Sequence, residues 1–97
     1  MHVRFTADAE ADLNHISAYL SPRSPKGLER ILSAIFTTSA QLEDFPFIGR
    51  DGLIDGTREL IVPRTPFTLV YRISDAYYVD ILRIYHGRQA WPPNEES

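Results

Sequence analysis

Cysteine is absent from the 97 residues, which excludes a disulfide framework and any thiol chemistry. A chain without disulfides fits a reducing compartment, and we expect it in the cytoplasm. Lysine is nearly absent: Lys26 stands alone, and the other nine of the ten basic residues are arginines. Arginine is the choice for bidentate pairing with carboxylate or phosphate. No apolar run approaches the ~20 residues of a membrane span, so no membrane partner is expected. The opening MHVRFTADAE has no apolar h-region and is read as something other than a signal peptide. His2, His15 and His86 show no metal-ligand spacing, so neither a metal nor any other cofactor is expected. The glycines of the GRDG string lack the spacing and the Lys-Ser/Thr ending of a phosphate loop. Repeats and low-complexity segments are also missing.

What remains is enough for a thin core. The hydrophobic fraction is 43%, and the length suits one domain, read as residues 1–93 with a mobile acidic tail at 94–97. The net charge of −3 runs against nucleic-acid binding by the whole surface, and no sequence-specific DNA binding is expected of the chain itself. The charge is unevenly placed. Residues 58–93 hold five basic and three acidic groups, while residues 1–57 hold five basic and eight acidic ones.

In chain order, His2–Phe5 alternates and reads as a short strand. Thr6 reads as an N-cap, with Asp8 and Glu10 in the first turn of a helix striped by Ala9, Leu13, Ile16 and Leu20. Ser24-Pro25 restarts a second helix that runs to about Leu42. Its short link to the first makes an antiparallel helix hairpin. His15 reads as a surface residue, and Phe47–Thr57, with its three glycines, reads as a plain connection. Three β-rich runs follow: Arg58–Val62, Phe67–Ile73 and Tyr77–Tyr85, the last two joined by the Ser74–Ala76 turn. The order is β-α-α-β-β-β. The fold class is α+β, with the helix hairpin packed on one face of a small, mainly antiparallel sheet.

Two expectations about function follow from the last strand. Simple alternation puts Val79 and Ile81 on one side and Leu82 and Ile84 on the other. One helix layer covers one side, so these four residues are candidates for an apolar groove that a partner fills. The second expectation is a basic edge. With Phe67 across from Arg83, the residues Arg64, Arg83, His86 and Arg88 would gather at one end of the sheet, suited to phosphate or an acidic protein surface. The plainer alternatives are an ion pair of Arg83 with Asp80 or Glu59, a backbone-capped strand end for His86, and a core plug for Trp91.

Several strings in this order carry a family likeness: Ala11-Asp12-Leu13-xx-Ile16-xx-Tyr19, Pro46-xx-Gly49-Arg50, Arg58-Glu59-Leu60, Leu69-Val70-Tyr71-Arg72, Ile81-Leu82-Arg83-Ile84 and His86-Gly87-Arg88-xx-Trp91-Pro92. Over roughly Val3 to Pro92 the chain resembles the RelE/ParE superfamily of type II toxin–antitoxin toxins. The resemblance implies a cognate antitoxin as partner. It implies one of two activities: poisoning of DNA gyrase, as in ParE-like members, or ribosome-dependent cleavage of mRNA, as in RelE-like members. RNA cleavage without a metal needs a proton acceptor, cations around the pentavalent phosphate and a proton donor to the leaving oxygen. His86, Arg64 and Arg83 resemble catalytic residues of the RNA-cleaving branch in position, with Arg88 as a further phosphate clamp. The single lysine, the acidic net charge and the HGR-xx-WP ending lean towards the ParE-like branch. A non-toxic binding module is the remaining alternative.

Overall fold

The computed structural model describes residues 1–89, 91 and 92; the tail at 94–97 lies outside them. The chain opens with β1 (His2–Phe5). Thr6 ends that strand and caps α1 (Ala7–Leu20), its Oγ1 accepting the Ala9 N–H at 3.2 Å. The same hydroxyl donates to the Leu82 carbonyl at 3.1 Å, so one cap fixes both the helix start and its place on the sheet. Ser24 accepts the Gly27 N–H at 3.1 Å and, with Pro25, starts α2 (Pro25–Gln41). The strands β2 (Arg50–Asp51), β3 (Arg58–Ile61), β4 (Phe67–Ile73) and β5 (Tyr78–His86) complete the chain.

The five strands form one mixed sheet in the order β1-β5-β4-β3-β2. β1 runs parallel to β5, and the other pairs are antiparallel. The two helices pack on one face, which makes the fold α+β. Ala9 and Ile16 of α1 and Ile31 and Ile35 of α2 meet Leu69, Tyr71, Val79, Ile81 and Ile84 from the sheet in a single core.

The connection Phe47–Thr57 contains a strand that no local pattern announces. β2 is two residues long and pairs Arg50 with Glu59 and Asp51 with Arg58. A side-chain contact accompanies the pairing: Arg50 Nη2 lies 3.1 Å from Glu59 Oε1. The turn before β5 is one residue longer than expected. Asp75 Oδ1 takes the N–H groups of Tyr77 at 2.7 Å and Tyr78 at 3.0 Å, which holds Tyr77 out of the strand.

The larger correction concerns β5. Its register with β4 slips between Val70 and Tyr71: Val70 faces Arg83, but Tyr71 faces Ile81. Leu82 is therefore the extra residue of a β-bulge. The bulge resets the alternation, so Ile84 returns to the side of Val79 and Ile81 instead of joining Leu82. Val79 and Ile81 are fully buried and Ile84 nearly so, all three beneath the helix hairpin. They are closed to a partner while the hairpin stays docked. Leu82 alone of the four is half-exposed on the helix-free face.

Candidate functional site

The same register decides where the basic residues go. Pairing of β4 with β5 begins at Ile73 and Val79, and the bulge adds one more residue, so Phe67 lies across from His86 and Arg83 across from Val70. Arg83 is thus set back from the end of the sheet, on the face away from the helices. There Asp12 of α1 grips it, with Nε to Oδ2 at 2.8 Å and Nη2 to Oδ1 at 3.0 Å. Asp12 Oδ2 also accepts the Ile84 N–H at 2.8 Å. This bidentate contact, with Asp12 the main cause, holds the Arg83 guanidinium charged and raises its pKa above the ordinary arginine value. The partner of Arg83 is neither Asp80 nor Glu59.

Each of those two acids has a different arginine. Asp80 pairs with Arg4, Nε to Oδ1 at 2.8 Å, and accepts the Ser74 hydroxyl. Arg4 and then Ser74 hold the Asp80 carboxyl below its usual range. Glu59 is nearly buried and takes three donors: Arg50 Nη2, Tyr85 Oη and the Leu53 N–H, each at 3.1 Å. Burial alone pushes the Glu59 carboxyl up, but the Leu53 amide, Arg50 and Tyr85 together outweigh it and lower the pKa.

At the end of the sheet, His86 turns its ring edge-on to Phe67, with centroids 5.4 Å apart. Its Nδ1 accepts the Arg88 N–H at 3.0 Å, which suits the tautomer with hydrogen on Nε2. The imidazole lines a largely apolar groove of about 480 Å³ with His15, Tyr19, Phe67 and Gln89. Arg64 has a positive φ of 60° in the turn between β3 and β4. It lines a different groove, against α2, where its carbonyl accepts from Arg30 Nη1 at 3.1 Å. Among the described residues, Arg64 and Arg88 form no ion pair.

The expected gathering of Arg64, Arg83, His86 and Arg88 is therefore looser than the sequence suggested. His86 and Arg88 are together, Arg64 is on the neighbouring turn beside α2, and Arg83 is committed to Asp12. Tyr85, on the opposite face from His86, is engaged with Glu59. A histidine with one exposed arginine beside it can bind an anion or shuttle a proton; among the described residues these four do not assemble a phosphate clamp of several free cations. Asp12 and Glu59, which hold this part of the molecule together, both lie in the strings that carry the family likeness, but their partners come from distant parts of the chain.

Residues 3–91 match the family model described as the ParE toxin of the type II toxin–antitoxin system parDE. The chain belongs to the ParE toxin family. A Sinorhizobium fredii protein named "Putative toxin Y4kP" is 37% identical over 90 residues, covering 93% of this chain and 92% of that protein. Two solved structures share the fold. One is the chromosomal ParDE toxin–antitoxin system from P. aeruginosa, with a TM-score of 0.65, 27% identity, and coverage of 89% of this chain and 95% of that one. The other is the toxin–antitoxin complex RelBE2 from Mycobacterium tuberculosis, with a TM-score of 0.60, 31% identity, and coverage of 87% and 94%. The RelE/ParE likeness read from the sequence is thereby established, and the chain is a type II toxin–antitoxin toxin of this family.

The Asp12 clamp makes a direct prediction. Asp12→Ala removes the guanidinium's partner and leaves the Ile84 amide, nearly buried, without an acceptor. A lost hydrogen bond to a charged group costs about 1.5–3 kcal/mol. We expect a urea-unfolding midpoint lowered to match, with a smaller loss for Asp12→Asn, whose carbonyl still accepts. An unchanged midpoint for Asp12→Ala would remove the clamp from any account of the fold.

Proposed function

We propose that this ParE-family toxin arrests bacterial growth by poisoning DNA gyrase in the cytoplasm and is neutralised by a cognate antitoxin. The observation that carries the reading is the commitment of Arg83 to Asp12 and of Tyr85 to Glu59. Cleavage of mRNA needs several cations free to hold a pentavalent phosphate beside the proton-transferring group. Here His86 stands with Arg88, while Arg83 is neutralised across the sheet. A protein-binding surface at Arg64, His86 and Arg88 needs no such constellation. The ribosome-dependent mRNA nuclease stays as the alternative because His86 lines a groove with a ring nitrogen to spare.

The antitoxin reading has its own support. Phe45, Phe47, Ile48, Leu53 and Ile61 are each more than half exposed. Large apolar groups exposed along one stretch of sequence suit a partner's cover. Leu82 is the one member of the expected groove that faces outward, and it remains our candidate antitoxin contact.

The test uses purified full-length protein and the variants Arg64→Ala, His86→Ala and Arg88→Ala. Inhibited supercoiling or trapped cleaved DNA, with ribosome-bound mRNA left intact, is the expected result. At least one variant should lose toxicity while staying folded. Codon-dependent cuts on translating ribosomes, abolished by His86→Ala and with gyrase unaffected, would reverse the choice. Normal growth on soluble expression would leave a non-toxic binding module.

A further inference from the structure

Glu59 lies on the helix-free face of β3, and its two oxygens serve different segments. Oε2 takes the Leu53 N–H at 3.1 Å and so anchors the loop after β2. Oε1 takes Tyr85 Oη at 3.1 Å and so fixes the phenol on β5. The indole of Trp91 lies flat on that phenol ring, with centroids 5.0 Å apart and planes 9° from parallel. Beyond His86 the chain leaves the sheet, turns at Gly87–Gln89, and returns this ring over the helix-free face. Trp91 and Ile54, the latter from the anchored loop, become two walls of a groove of about 520 Å³ with Val70 and Leu82 among its other lining residues. Both walls thus depend on one carboxylate. Arg50 adds a third contact to Glu59 but belongs to neither wall.

We infer that Glu59 is a positioning residue: through Tyr85 it fixes Trp91, and through Leu53 it fixes the facing loop, so that the helix-free groove carrying Leu82, the candidate antitoxin contact, is shaped before the antitoxin docks. The inference rests on the toxin reading for its biological meaning, but its physical half stands apart from it. A buried carboxylate with three donors has a strict geometry, because each lost donor leaves a desolvated charge. Aromatic stacking alone is a weak restraint and holds the Trp91 ring only when the platform beneath it is already rigid.

The chain contains a single tryptophan, so fluorescence excited at the red edge, where its five tyrosines do not absorb, reports Trp91 alone. The experiment compares acrylamide quenching of the full-length protein with Glu59→Ala, Glu59→Gln, Tyr85→Phe and Arg50→Ala. Circular dichroism confirms folding at the working temperature. We expect a several-fold rise in quenching for Glu59→Ala and a clear rise for Tyr85→Phe, which keeps the ring but frees it. Glu59→Gln, able to accept but uncharged, should recover part of the wild-type value, and Arg50→Ala, which leaves the Leu53 and Tyr85 donors in place, should raise quenching least of the series. Rescue of growth by the cognate antitoxin should weaken in the order in which quenching rises. If Glu59→Ala does not fold, Tyr85→Phe and Glu59→Gln carry the test. Quenching unchanged in the folded Glu59 and Tyr85 variants overturns the positioning role. Raised quenching with rescue by the antitoxin intact overturns its link to the antitoxin surface. A wild-type protein that arrests nothing defeats the toxin reading, while the fluorescence series still decides whether Glu59 positions Trp91.

Discussion

Ile81→Asp should leave no folded protein, whereas Leu82→Asp, one residue along, should fold with a loss of about 1 kcal/mol. Ile81 is fully buried, between Phe5 of β1 and Tyr71 of β4 in the middle of the sheet. An aspartate there has no cation within the core to meet it, and an unpaired buried charge costs several kcal/mol beyond the lost apolar burial. Domains of this kind are stable by only about 5–15 kcal/mol, so most or all of the margin goes. Leu82 is the bulge residue. What the fold uses is its carbonyl, which accepts the Thr6 hydroxyl, and that survives any side-chain change. Circular dichroism and urea unfolding of the two variants separate these outcomes. Ile81→Val provides a graded check at about 1 kcal/mol. A cooperative unfolding transition at the wild-type midpoint for Ile81→Asp would mean that the side assigned to β5 is wrong. The pair also bears on function: Leu82→Asp is the variant in which antitoxin affinity can be read without a folding defect.

The contrast between these two neighbours shows where the sequence was legible. Both helices were, because Thr6 and Ser24-Pro25 are local signals whose physics is complete within one turn. The last three strands were, because their β-branched and aromatic runs are bounded by Pro63, Pro66 and Asp75. The bulge at Leu82 was not. Val79 to Ile84 reads as plain alternation, and nothing within it says that one residue is skipped. That slip alone moved Ile84 into the core and, with the later start of pairing at Val79, brought His86 rather than Arg83 opposite Phe67. The partners of Arg83 and Glu59 were illegible for a related reason. Asp12 lies 71 residues from Arg83, and Arg50 meets Glu59 through a strand only two residues long. An ionic partner is chosen by tertiary register, and register is what a single sequence specifies least. The candidate site suffered more than the fold, since a one-residue error leaves the layers of the fold intact and rearranges every side chain on a strand.

Gly49 is the position where a single added methyl group should do the most damage outside the sheet's centre. Its N–H donates to Tyr71 Oη at 2.8 Å, and that hydroxyl donates onward to the Pro46 carbonyl at 2.8 Å. Tyr71 is fully buried, so the phenol reaches through the core to knot the loop after α2 onto the sheet. Burial raises the Tyr71 pKa above its ordinary value, which keeps the proton that the Pro46 carbonyl needs. A Cβ at Gly49 would sit 2.6 Å from Tyr71 Oη, 2.7 Å from Cε1 and 2.9 Å from the Glu59 carbonyl. None of these neighbours is the free end of a flexible chain, so the strain cannot be shed locally. Overpacking of this kind costs about 1–3 kcal/mol and occasionally more, and we place Gly49→Ala at the upper end. Tyr71→Ala should cost about 3–5 kcal/mol through the cavity it opens. Tyr71→Phe should cost about 1–3 kcal/mol, because the Gly49 N–H, buried with its residue, loses its acceptor and the Pro46 carbonyl loses its donor. The decisive measurement is the double variant. Removing the hydroxyl removes the shortest of the clashes, so Gly49→Ala with Tyr71→Phe should cost less than the two single changes added together. Strict additivity would mean that the methyl group is accommodated by moving the loop away rather than by pressing on the phenol.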